Sequence, residues 1–173
     1  AVGIYALSLL ALYSTSASYH LFTRSLKGQR TMQQLDHAMV YVLIAGSYTP
    51  VCLLALPRKV GVPFLLAIWA TAAVGMGLKI TWKAKRLGHA LYLIIGWAAL
   101  LILPWAYHRA GFTSLLLYAL GGIVYTVGAV LFYMQKPKLS PEVFGFHEIW
   151  HLFTVVAGIL QFAGVGVLIA RAA

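Results

Sequence analysis

Six apolar stretches, each close to the length that crosses a bilayer, constrain this chain more than any other feature of its sequence. A hydrocarbon core of ~30 Å takes about 20 helical residues to span. The stretches run over about 1–22, 37–56, 61–82, 87–107, 114–134 and 146–170. In lipid every backbone N–H and C=O must be paired within the protein, so segments this long and apolar are helices. The linkers between them are short, which makes sequential helices antiparallel neighbours. The fold class read from this pattern is all-α: a polytopic transmembrane helix bundle forming one domain over residues 1–173.

Composition agrees with that reading. The chain is 62% hydrophobic and only 9% charged, where a soluble domain carries roughly 25% charged residues. Thirteen Lys+Arg against three Asp+Glu give a net charge of +10. In a soluble protein this excess would point to nucleic acid. Here the cations sit between apolar segments and form no basic face, so nucleic acid is not a partner in this reading. Cys52 is the only cysteine, which rules out an intrachain disulfide or a cysteine-based metal site; it reads as a small packed residue.

The cations also orient the chain. Arg24, Lys27, Arg30, Lys83, Lys85, Arg86, Lys136 and Lys138 fall in linkers on one side, against Arg58, Lys59, Arg109 and Arg171 on the other. Eight against four makes the first side cytoplasmic and puts the C-terminus outside. Ala1 already lies in an apolar stretch without a charged leader, which does not fit a signal peptide, so a segment upstream of Ala1 is expected. Pro50 follows Ala45-Gly46-Ser47-Tyr48-Thr49, and Pro63 lies at the start of the third stretch. Close packing with a kink is the plain reading of this pattern, and a lined cavity is the alternative.

Ionisable groups inside spans are functional candidates by default, because burying one costs about 2.5–3.5 kcal/mol at a helix centre. His147 and His151 are four apart, so both project from one helix face, as two ligands of a tetrahedral zinc ion do. Ser16 and His20 share a face of the first helix by the same spacing, and Asp36 lies at the entrance of the second. The topology read from the loops puts His20, Asp36, His147 and His151 at one depth, near the cytoplasmic face. Three histidines with an open fourth position make the ligand set of a catalytic zinc site.

Other candidates are weighed against plainer roles. His147-Glu148-Ile149-Trp150-His151 fits the H-E-x-x-H pattern, in which Glu148 would be a general base; a first-turn acid favouring the helix N-terminus is the preferred reading. His37 adjoins Asp36 about 100° round the helix, so both cannot aim at one point, and Asp36 is preferred. His89 starts on the inner side and is a spare ligand. His108 is on the outer side and is set aside as an interfacial residue.

Taken together, Ser16-Ala17-Ser18-Tyr19-His20, Asp36-His37-Ala38, Ala45-Gly46-Ser47-Tyr48-Thr49-Pro50 and His147-Glu148-Ile149-Trp150-His151 resemble the hemolysin III proteins of the progestin and adiponectin receptor superfamily. The resemblance runs from the first span to the last. It implies a seven-helix membrane fold whose first helix has no counterpart in this chain. It also implies a zinc ion held by His20, His147 and His151, with Ser16 and Asp36 around the zinc-bound water. A bacterial cytoplasmic membrane is the implied location.

Three functions follow as expectations. The first is a zinc-dependent, ceramidase-like hydrolase of a membrane lipid amide or ester. The second is a non-enzymatic membrane homeostasis or signalling protein whose zinc is structural, with lipid as ligand. The third is a pore-forming haemolysin, although no ring of charged residues lines a path. An intramembrane protease is a weaker reading. The oligomeric state does not follow from the sequence.

Overall fold

A computed structural model of the chain describes residues 1–22, 25–81, 85–136 and 145–172, without the side chains of Lys85, Arg86, His89 and His147. The described residues are helical almost throughout, and no strand occurs among them. The helices are α1 (Val2–Phe22), α2 (Leu26–Pro50), α3 (Arg58–Ile80), α4 (Lys85–Trp97), α5 (Ala99–Met134) and α6 (Phe146–Ala172). A π-helical turn, Val51–Ala55, prolongs α2.

Among the described residues, four stretches are long and apolar enough to cross a bilayer: Leu26–Ala55, Arg58–Ile80, Ala90–Met134 and Glu148–Ala172. The fold is an all-α polytopic membrane bundle. α1 has 21 residues but is not one of the four, because Ser14, Thr15, Ser16 and Ser18 dilute its second half with hydroxyls. Ser14 returns its hydroxyl to the Leu10 carbonyl at 2.6 Å, the usual way such groups are satisfied within a helix.

Element boundaries differ from the sequence pattern in three places, each for a local reason. α2 begins at Leu26 rather than near His37, because Ser25 caps it by accepting from the Gly28 N–H at 3.1 Å and no proline interrupts the run that follows. The stretch 87–107 is two helices, α4 and the start of α5, meeting at Ala98. The turn between them leaves carbonyls without intrahelical partners, and the Tyr48 hydroxyl donates to two of them, on Ile95 at 2.7 Å and Gly96 at 3.0 Å. Finally, the linker expected between 107 and 114 shrinks to one residue. Gly111, at φ 74 and ψ 162, breaks α5 in a conformation that glycine alone adopts readily.

The chain groups into two compact units, Ala1–Arg109 and Ala110–Ala173. In the first, α2 is the central helix and packs against α1, α3 and α4. Of its most apolar window 67% is buried, against 22% for α3. Small residues permit this: a Cβ on Gly46 would overlap the Ser8 hydroxyl of α1, and one on Gly75 of α3 would overlap the Tyr41 ring. Pro50 offers no N–H to the ladder, and the helix relaxes into the π turn directly after it. Leu56 is extended, as a residue before proline should be, and Pro57 opens α3.

In the second unit the part of α5 after Gly111 packs along α6. A Cβ at Gly121 would lie 2.8 Å from the Gln161 side chain, and one at Gly128 would lie 2.6 Å from Phe153. The buried Ser114 hydroxyl donates to the Gly164 carbonyl at 2.8 Å. The Arg171 guanidinium lies where a Gly111 side chain would begin, its Cζ 2.6 Å from that position.

Candidate functional site

Asp36 sits almost three turns inside α2, about 15 Å along the axis from the start of the helix. It is the only aspartate in the chain, and it is 6% exposed. A carboxylate in such a place requires polar company, and the first unit supplies it. Tyr92 of α4 lies within electrostatic reach of Asp36. The Tyr92 hydroxyl donates to the carbonyl of the next residue, His37, at 2.6 Å. Tyr41, one turn beyond His37, stacks on Tyr92 with ring centroids 4.3 Å apart, and its hydroxyl donates to the Gly88 carbonyl.

A cation completes this cluster. Lys79, near the end of α3, is 7% exposed, and its Nζ lies 4.8 Å from the centre of the Tyr92 ring. The stem passes α4 at Gly88, where a Cβ would come within 3.1 Å of Lys79 Cε. Two glycines therefore shape the site: Gly75 admits the Tyr41 ring and Gly88 admits the lysine stem. The result is an Asp–Tyr–Tyr–Lys arrangement spread over three helices of an otherwise apolar unit.

The histidines are placed by other contacts. His20 is exposed in the last turn of α1, with Ser16 half-buried one turn before it. The His20 ring centroid is 4.6 Å from that of Tyr19. His151 is half-buried on α6. The start of α6 is held by Phe132 of α5, whose ring meets those of Phe146 at 5.6 Å and Trp150 at 5.7 Å. His151, one residue beyond Trp150, is turned about 100° from that contact. His147 belongs to α6, but its side chain lies outside the described residues, as does that of His89. Among the described residues no group of three His, Cys, Asp or Glu side chains converges; His20 belongs to the first unit and His151 to the second. Glu148 is exposed and accepts from the Gly145 N–H at 2.8 Å, reaching back to the residue before the helix as a capping acid does.

The same elements relate the chain to known proteins. The sequence model of a family described as Haemolysin-III related matches residues 1–162. The chain belongs to the haemolysin III family. It is 32% identical over 154 residues to a Hemolysin-3 homolog of Bacillus subtilis (strain 168), covering 88% of this chain and 69% of that protein. It is 32% identical over 167 residues to Hemolysin-3 of Bacillus cereus, covering 94% and 72%. More distant similarity reaches the Heptahelical transmembrane protein ADIPOR2 of Oryza sativa subsp. japonica, 27% identical over 185 residues, covering 96% and 80%. These relatives place the haemolysin III chain within the progestin and adiponectin receptor superfamily.

For a haemolysin III protein the cluster offers specific chemistry. Asp36 can accept a proton or orient a water molecule, with Tyr92 within electrostatic reach. Sequence reasoning singled out Asp36 but missed Lys79, Tyr41 and Tyr92. The signal for Lys79 was present: it is the one cation inside an apolar stretch, in Gly75-Met76-Gly77-Leu78-Lys79-Ile80. Its burial was not readable, because it depends on a glycine in the next helix. Tyr92 carries no local signal that separates it from an ordinary interfacial aromatic.

Proposed function

We propose that this haemolysin III protein is a zinc-dependent hydrolase of an amide or ester bond in a membrane lipid. The buried Asp36 in an apolar helical unit is the observation that carries this reading, because an intramembrane carboxylate is retained at a cost that function repays. The donor set suits the metal: His20, His147 and His151 are neutral imidazole donors, and two of them sit at i and i+4 on one helix. When bound by these three, zinc supplies Lewis acidity toward a carbonyl and toward water.

The remaining tasks fall to the chain itself. Asp36 takes up the proton that water gives up on attack, or delivers it to the leaving amine or alcohol. Ser16, one turn from His20, hydrogen-bonds within the site rather than attacking, since no His–Asp pair is evident beside it. The apolar helices admit a lipid substrate and exclude bulk water. Glu148 serves the N-terminus of α6, which argues against the metalloprotease reading of the H-E-x-x-H segment. The loop cations support an orientation with the Asp36 end cytoplasmic and the C-terminus outside, and the Bacillus relatives support a bacterial inner membrane as the location.

The test is metal analysis of the purified full chain followed by a panel of lipid amides and esters. Zinc near one equivalent and chelator-sensitive release of fatty acid are expected. Asp36→Asn should keep the metal and lose turnover, His151→Ala should lose both, and Glu148→Gln should keep both. Full zinc with no turnover on any lipid would overturn the hydrolase reading in favour of a structural metal.

A further inference from the structure

We infer that Lys79 is a positioning residue for Asp36: it is the counter-charge that holds this carboxylate ionised and oriented inside the membrane bundle. The inference deepens the proposed function, since it concerns the carboxylate to which that reading gives the proton.

A buried ammonium and a buried carboxylate are each costly alone and tolerable together. Lys79 is 7% exposed and Asp36 is 6% exposed. The chain has three acids, Asp36, Glu142 and Glu148, and the last two belong to the second unit. Asp36 is therefore the only anionic side chain in the unit that holds Lys79. Both residues meet Tyr92, Lys79 over its ring at 4.8 Å and Asp36 within electrostatic reach. The ring face attracts the cation, while the hydroxyl is anchored on the His37 carbonyl at 2.6 Å. Among the described side chains, the titratable groups near Asp36 are His37 and Tyr41 on α2 and Tyr92 on α4, and His20 stands in the last turn of α1. None of these is a fixed cation, and Lys79 is the buried one among the described residues, so the positive charge assigned to Asp36 is that of Lys79.

The packing is specific to a long side chain entering from α3. Gly88 leaves the passage for the Lys79 stem, and the Gly88 carbonyl is occupied by Tyr41. Gly75, one turn before Lys79 on α3, leaves the space for the Tyr41 ring itself. α2, α3 and α4 are thus shaped around one charge pair and two rings.

Because Asp36 is the only aspartate, carbon-13 aspartate labelling reports on this residue alone. The experiment is infrared spectroscopy of the labelled full chain in nanodiscs at neutral pH, with and without added zinc. The labelled wild-type carboxyl should give the carboxylate signal. Lys79→Met should lose it and gain the protonated-acid band, and Lys79→Arg should retain it. A carboxylate signal unchanged in Lys79→Met, a protonated acid in the wild type, or loss in both variants would overturn the inference. If Lys79→Met does not fold, the double variant Lys79→Met/Asp36→Asn should fold, since the two charges leave together; a double variant no better than the single would equally overturn it. These signals require neither bound metal nor turnover, so failure of the hydrolase reading and failure of this one are told apart.

Discussion

Two glycines two residues apart on α3, on opposite faces of the helix, should respond in opposite ways to the same substitution. A Cβ at Gly75 lies 2.7 Å from Cδ1 of Tyr41 and closer still to Cε1 and Cζ. Carbon contacts are comfortable at about 3.5–4.0 Å, so in Gly75→Ala the ring must retreat by roughly 1 Å. Tyr41 is 0% exposed and stacked on Tyr92, which leaves it nowhere to go without disturbing the Gly88 hydrogen bond. Overpacking of this kind costs about 1–3 kcal/mol, and a lost hydrogen bond in a membrane bundle adds about 0.6–1.7 kcal/mol. Alanine returns about 0.8–1.0 kcal/mol of helix propensity. The net expectation for Gly75→Ala is a loss of about 1–3 kcal/mol. At Gly77 no atom lies within 4 Å of the new Cβ, so Gly77→Ala should be neutral or stabilising by up to about 1 kcal/mol. Equilibrium unfolding of the full chain in mixed micelles, followed by circular dichroism, separates the two variants. Equal stability of the two would refute the packing of α3 against Tyr41 described above.

Two further substitutions test the helix breaks. Gly111→Ala places a side chain at φ 74, ψ 162 and against the Arg171 guanidinium; a loss of about 1–3 kcal/mol is expected in the same unfolding assay. Arg171→Ala should not rescue it, because the backbone rather than the contact dominates. Tyr48→Phe withdraws the donor from the Ile95 and Gly96 carbonyls at a cost of about 0.6–1.7 kcal/mol. Hydrogen exchange should rise in the segment joining α4 to α5 and stay unchanged in α6; uniform protection would count against that role for the hydroxyl.

The helical membrane fold was legible because its signal is additive. Each apolar stretch reports its own length and composition, and no tertiary contact is needed to exclude a soluble core. The breaks were less legible. Apart from Gly96, nothing in Leu91–Ala99 marks a helix end, and the break at Ala98 is supported by a tyrosine from α2. The residues around Gly111 read as a linker, yet one glycine conformation is enough to interrupt α5. Ser25 and the polar run after it read as loop, because outside the apolar window a helix depends on capping rather than on hydropathy.

For the candidate site the division is similar. Asp36 stood out in the sequence, because a lone aspartate beside an apolar run has few structural explanations. His20, His147 and His151 stood out by spacing and by the topology read from the loops. Lys79 could be located in a span but not understood there. Its passage past Gly88, its place over Tyr92 and the ring of Tyr41 that closes the cluster arise from three helices meeting. Hydropathy and helical periodicity belong to single segments, and they determined by themselves that this chain is a membrane helix bundle with a carboxylate in it. That a buried lysine from another helix lies over Tyr92, beside the same ring that Asp36 influences, is a property of how the segments pack, and only the tertiary structure decided it.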